Sequence, residues 1–132
     1  MNTLDPRTAA TAKRARAERR GRTGEALAAL WLQLKGYEVL ASRVRTHVGE
    51  FDLAARRGAT LAIVEVKTRA RSVDGLDAVP VGAQRRIAAA AEVWLTARPA
   101  LRGLDLRFDL VIIAPWSPPT HLRDAWRPGA WV

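Results

Sequence analysis

The stretch GEFDLAARRGATLAIVEVKT, Gly49 to Thr68, reads as two strands joined by a tight turn. Thr60 to Thr68 is dense in β-branched residues and Gly49 to Arg56 alternates, which is how strands on a packed sheet read. Between them stands Arg57-Gly58-Ala59-Thr60. Glycine at the first central position is what a two-residue type II′ hairpin requires. With Gly58 and Ala59 at the turn, Arg57 pairs with Thr60. That register sets Asp52 opposite Glu65 and Glu50 opposite Lys67.

Working outward, a helix is expected from near Gly24, with Leu27, Leu30, Trp31 and Leu34 forming its buried stripe. Gly36 supplies the stop, and Tyr37 to Val44 forms a strand ahead of the hairpin. Residues 69–79 read as a polar loop. A second helix follows from Pro80 to Arg98, with Gln84, Ile87, Ala88, Ala91, Trp94 and Leu95 on one face. Leu106 to Ile113 is a further strand. The proline-rich remainder is loop with a short element around His121 to Trp126. Helix, three strands, helix, strand describes an α/β fold, a single domain with a central mixed β-sheet flanked by helices.

The 132 residues suit one hydrophobic core, and 48% apolar residues are enough to fill it. There is no cysteine, which excludes disulfides, thiolate catalysis and Cys-ligated zinc. His47 and His121 lack metal-ligand spacing. No apolar run approaches the ~20 residues that span a bilayer, and no apolar stretch of a secretory signal follows the basic N-terminus. A soluble cytoplasmic protein without membrane contact is expected. The net charge of +9 favours a polyanionic partner, nucleic acid first. More than half of that excess lies in residues 1–22, with seven basic side chains against Asp5 and Glu18. Residues 1–20 therefore read as a basic, flexible arm, either simply solvated or held against nucleic acid, ahead of a domain over 21–132.

The strand Thr60 to Thr68 ends unusually. Leu61 and Ile63 share a face that continues into Glu65 and Lys67, an acid and a base on a strand otherwise apolar on both sides. The hairpin register brings a second carboxylate, Asp52, across from Glu65. Facing like charges repel unless something positive lies between them. A divalent cation resolves this, because two carboxylates, a carbonyl and waters make a hard oxygen site suited to Mg²⁺. Lys67 beside it could orient a nucleophile or touch a phosphate, or simply neutralise the acids as a structural ion pair.

The segments GRTGEALAALWLQLKGYEVL, GEFDLAA and LAIVEVKTR resemble the YraN-like family of uncharacterised bacterial proteins, which belongs by similarity to the PD-(D/E)XK nuclease superfamily and is similar to Holliday junction resolvases. The likeness spans about Gly21 to Ile113. It implies a restriction-endonuclease-like fold and a Mg²⁺-dependent endonuclease, with Mn²⁺ as a substitute, hydrolysing DNA that includes branched or junction DNA. By that resemblance Asp52, Glu65 and Lys67 are catalytic, Glu25 and Gln84 assist, and Asp52, Glu65 and Glu25 hold the metal. The family's Lys before Gln84 is Ala83 here, and its Asn-x-Arg after the first strand is Arg43-Val44-Arg45. Read from the residues alone, Glu25 lies opposite Leu27 and Leu34 and is explained by the helix dipole. Gln84 can be a helix cap or face the site.

Arg69, Arg71, Arg85 and Arg86 flank the proposed site as candidate phosphate contacts. Asp109 reads as an acid satisfying loop or backbone donors. Trp31 and Trp94 fall at core spacing; Trp116, Trp126 and Trp131 stand where they either close a sheet edge or stack on bases. The alternative to a nuclease is a nucleic-acid-binding protein that keeps the fold without turnover. A junction-cutting enzyme would be a homodimer, since two symmetric cuts need two sites.

Overall fold

A computed structural model describes residues 6–71 and 79–128. Its elements are α1 (Pro6–Leu34), β1 (Glu38–Thr46), β2 (Gly49–Arg57), β3 (Thr60–Thr68), α2 (Val81–Thr96), a 3₁₀ turn at Pro99–Leu101, β4 (Asp105–Ile113) and β5 (Thr120–Trp126). The strands form one sheet in the order β1-β2-β3-β4-β5. The β3–β4 pair is parallel and the other three are antiparallel. Parallel neighbours need a crossover, and the chain supplies it through α2. The expected mixed sheet is present, and the short element near His121 is its fifth strand. The architecture is consistent with a restriction-endonuclease-like fold. Of the expected loop 69–79, residues 72–78 lie outside the described residues, as does Trp131.

The strand alternation read from the sequence sorts the core into two layers. Leu61 and Ile63 join Phe51, Ala54, Phe108, Leu110 and Ile112 under α2, which contributes Ile87, Ala90, Ala91, Trp94 and Leu95. Ala62 and Val64 join Leu53, Ala55, Val111 and Ile113 under α1, which contributes Ala28 and Leu32. The hairpin register is as expected, with Arg57 paired to Thr60 and Gly58 at φ 59°. Trp126 stacks on Phe108 with ring centroids 4.2 Å apart and closes one end of the sheet.

Two expectations about α1 fail. The helix begins at Pro6 rather than near Gly24. Residues 8–22 are rich in Ala, Arg and Lys, all strong helix formers, and Pro6 takes the first helical position where its missing N–H costs nothing. The buried stripe is also inverted. Leu27, Leu30 and Leu34 are 45%, 52% and 73% exposed, while Ala28 and Leu32 are fully buried. The helix lies close on the sheet through small residues. A Cβ on Gly24 would come within 2.5 Å of the Thr68 hydroxyl.

α2 approaches the opposite face as closely. A Cβ on Gly49 would fall 2.2 Å from the backbone carbonyl oxygen of Arg86. That neighbour is backbone of a packed helix and cannot swing aside. Gly49→Ala is therefore expected to lower unfolding stability by about 2 kcal/mol, through forced separation of α2 from β2. Urea titration measures this, and a variant as stable as the parent would disprove the close packing.

Candidate metal and nuclease site

β2 leaves regular pairing at Asp52. Phe51 packs under α2, yet Leu53 packs under α1, so the alternation breaks between them. In β1, between the pairs Val44–Phe51 and Ser42–Leu53, Arg43 turns into the left-handed region at φ 52°. Toward β3, the ladder ends with Leu53–Val64, one pair short of the expected Asp52–Glu65 pair. The two residues meet through their side chains instead. Asp52 Oδ2 accepts the Val66 N–H at 2.7 Å, so the carboxylate replaces the missing ladder bond and is fixed by it. Irregular strand pairing of this kind re-aims a side chain out of the sheet.

The carboxyl groups of Asp52 and Glu65 are in hydrogen-bonding contact. Lys67 Nζ lies 3.5 Å from Glu65 Oε1. Glu25 also reaches Asp52, and its Oε2 is 3.4 Å from Arg43 Nε. Glu25 faces inward because residues opposite the exposed leucines face the sheet. At about 100° per residue, the angular position read from the sequence was correct, and only the choice of buried face was wrong. Asp52, Glu65, Lys67 and Glu25 thus come together as expected. Glu50 does not pair with Lys67: it is exposed and stands 3.5 Å from Arg45 Nε.

The acids hold their protons more tightly than ordinary carboxyls. Burial, then the neighbouring Asp52 charge, pushes Glu65 up to about 7. Burial raises Asp52 too, against the opposing bond from Val66 N–H, and raises Glu25, with Asp52 adding to it. A group whose pKa rises on folding stabilises the fold below its unfolded value, and that contribution is lost as pH climbs through the folded one. For Glu65 the window runs from 4.5 to about 7. Metal-free wild-type protein is therefore expected to lose ~2 kcal/mol relative to Glu65→Gln between pH 5 and pH 8, in urea titrations with EDTA. Parallel pH profiles for the two proteins would disprove the repulsion.

Among the described residues, no group of three or more His, Cys, Asp or Glu side chains is gathered as a ready cation cage. The donors fit a looser site: two adjacent carboxylates, with water completing the shell, is how Mg²⁺ is commonly held. The destabilised charges of Asp52 and Glu65 are what such a cation would relieve.

Gln84 is buried in the first turn of α2, where its Nε2 donates to the Val79 carbonyl at 2.7 Å and closes the turn into the helix. Arg69 is exposed and lines a groove of about 550 Å³ with Glu25, Lys67 and Thr68. Arg71, Arg85 and Arg86 are also exposed. Arg43 was missed in the sequence, where nothing marks it as the partner of an acid eighteen residues earlier.

A family model described as an uncharacterised protein family, UPF0102, matches residues 24–113. A UPF0102 protein of Paramagnetospirillum magneticum is 44% identical, covering 96% of this chain and 98% of the relative. Another, from Chelativorans, is 50% identical over 86% of this chain and 91% of the relative. A third, from Agrobacterium fabrum, is 49% identical over 86% and 93%.

Proposed function

The chain belongs to the UPF0102 family, and from that premise we propose that it is a Mg²⁺-dependent endonuclease acting on DNA, branched or junction DNA included. The observation that carries this is the contact between the Asp52 and Glu65 carboxyls beside Lys67. Asp52 and Glu65 would hold the cation, which supplies Lewis acidity at a phosphodiester when bound. Lys67 stands where an ammonium can hold the attacking water or the scissile phosphate. Glu25, tied to Arg43, keeps Asp52 in place. Gln84 fixes the start of α2, and Arg69, Arg71, Arg85 and Arg86 would contact the flanking phosphates. No helix among the described residues is long and apolar enough to cross a membrane. A cytoplasmic location follows from the substrate, and a homodimer from symmetric cutting.

The test is cleavage of linear, flapped and four-way-junction DNA in Mg²⁺ or Mn²⁺, with EDTA as control. Mg²⁺ should also raise the thermal midpoint of wild-type protein, by mass action on the folded state. A protein that binds DNA tightly and cuts none of these substrates in either metal is a nucleic-acid-binding protein on a nuclease fold, and the enzymatic reading falls.

A further inference from the structure

A second groove, of about 730 Å³, runs between α1 and the β4–β5 connection. Its floor is apolar, made by Leu27, Ile113 and Pro115, and Arg16, Arg19 and Trp116 stand along it. Thr68 and Pro115 line both this groove and the one that holds Glu25 and Lys67, so the two are continuous. The apolar floor therefore leads directly to the proposed site of cleavage.

Trp116 is the odd residue there. Trp94 and Trp126 are buried in the core, whereas Trp116 is fully exposed. Its backbone sits at φ 61°, a left-handed conformation that a bulky residue adopts only under constraint. It follows Pro115 directly, with Pro118 and Pro119 close behind, so the connection is stiff. It does not close a sheet edge. Arg16 and Arg19 are spaced i, i+3 on α1 and fall on one face of the helix.

We propose that this groove binds unpaired nucleotides that continue from the cleavage site, with a base stacked on the Trp116 indole and its phosphates held by Arg16 and Arg19. A flat π surface beside two guanidinium groups is the combination that single strands recognise, because every base offers a face for stacking. A base inside a duplex has both faces covered by its neighbours and has none to offer. The inference rests on the reading that the acidic site acts on DNA, and it narrows the substrate to DNA with a single-stranded arm beside the duplex. The two cations argue for an anionic strand over a second copy of this chain, whose own charge is +9.

Fluorescence anisotropy in EDTA tests it without cleavage. The probes are a labelled oligo-dT, a duplex with one splayed single-stranded arm, and a blunt duplex of equal length. Wild-type protein is expected to prefer the splayed and single-stranded probes. Trp116→Ala should weaken both by about tenfold while leaving the blunt duplex nearly unaffected, and Trp116→Phe should recover much of the loss. Arg16→Ala with Arg19→Ala should reduce the salt slope for oligo-dT by about one. Equal losses on blunt and splayed duplex, or none on either, overturn the proposal. So does sedimentation showing that Trp116→Ala turns a dimer into a monomer with unchanged DNA affinity. A protein that binds splayed DNA through Trp116 yet never cuts leaves this inference standing while the nuclease reading fails. One that cuts but ignores Trp116→Ala does the reverse.

Discussion

Asp52→Asn is expected to slow DNA cleavage about a thousandfold, the size of loss that follows removal of a major electrostatic group from a reacting centre. Asparagine is the informative replacement. Its side-chain carbonyl oxygen can still accept the Val66 N–H that Asp52 holds at 2.7 Å, so the strand ends keep their geometry. What disappears is one of the two negative charges facing the proposed cation. DNA affinity in EDTA should be largely unchanged, since removing an acid cannot weaken attraction for a polyanion. Lys67→Ala should also abolish cutting, but it leaves both carboxylates in place, so Mg²⁺ should still raise its thermal midpoint. Asp52→Asn should show neither cutting nor that stabilisation. An Asp52→Asn protein that cuts at the wild-type rate would remove the acidic pair from the reaction altogether.

Asp109→Ala is expected to cost about 3–5 kcal/mol of stability, the usual penalty for stranding buried charged partners. Asp109 is fully buried on β4. Its carboxylate accepts two bonds from Arg107, at 2.8 Å each, the Asp124 N–H at 3.0 Å, and faces His121 Nε2 at 2.8 Å. Arg107 reaches on to the Tyr37 hydroxyl at 2.6 Å, and Lys35 Nζ lies against His121 Nδ1. With Lys35 charged, the imidazole must accept at Nδ1 and donate from Nε2 to Asp109. Burial alone would raise the Asp109 pKa, but the bonds from His121 and Arg107 outweigh it and hold the carboxyl at about 2. A depressed acid stabilises the fold above its unfolded value and loses that contribution as pH falls. The loss runs from 3.8 down toward about 2, worth ~2 kcal/mol. Urea titrations should show wild-type protein losing its advantage over Asp109→Ala in that range. A variant within experimental error of wild type at pH 7 would show that the network contributes nothing.

That network shows what a one-dimensional reading misses. Asp109 was expected to satisfy backbone donors, and it does bond Asp124 N–H. Its ionic partners include His121, twelve residues on, and through it Lys35, eighty-six residues from His121. No local pattern links them. The tryptophans divide the same way. Spacing on α2 placed Trp94 in the core, but among residues in irregular sequence only packing separates a buried Trp126 from an exposed Trp116.

By itself the sequence determined the strands, the hairpin and the identity of the acidic residues. These depend on local physics: β-branched side chains favour extended backbone, and Gly58 at φ 59° fixes the turn, hence the register that faces Asp52 toward Glu65. Tertiary structure decided which side of α1 is buried. A helix seated through Gly24, Ala28 and Leu32 turns its larger leucines outward, because close approach to the sheet leaves room only for small side chains there. That one choice turned Glu25 from a solvent-facing acid into a neighbour of Asp52. It also gave the groove beside the site its apolar edge at Leu27.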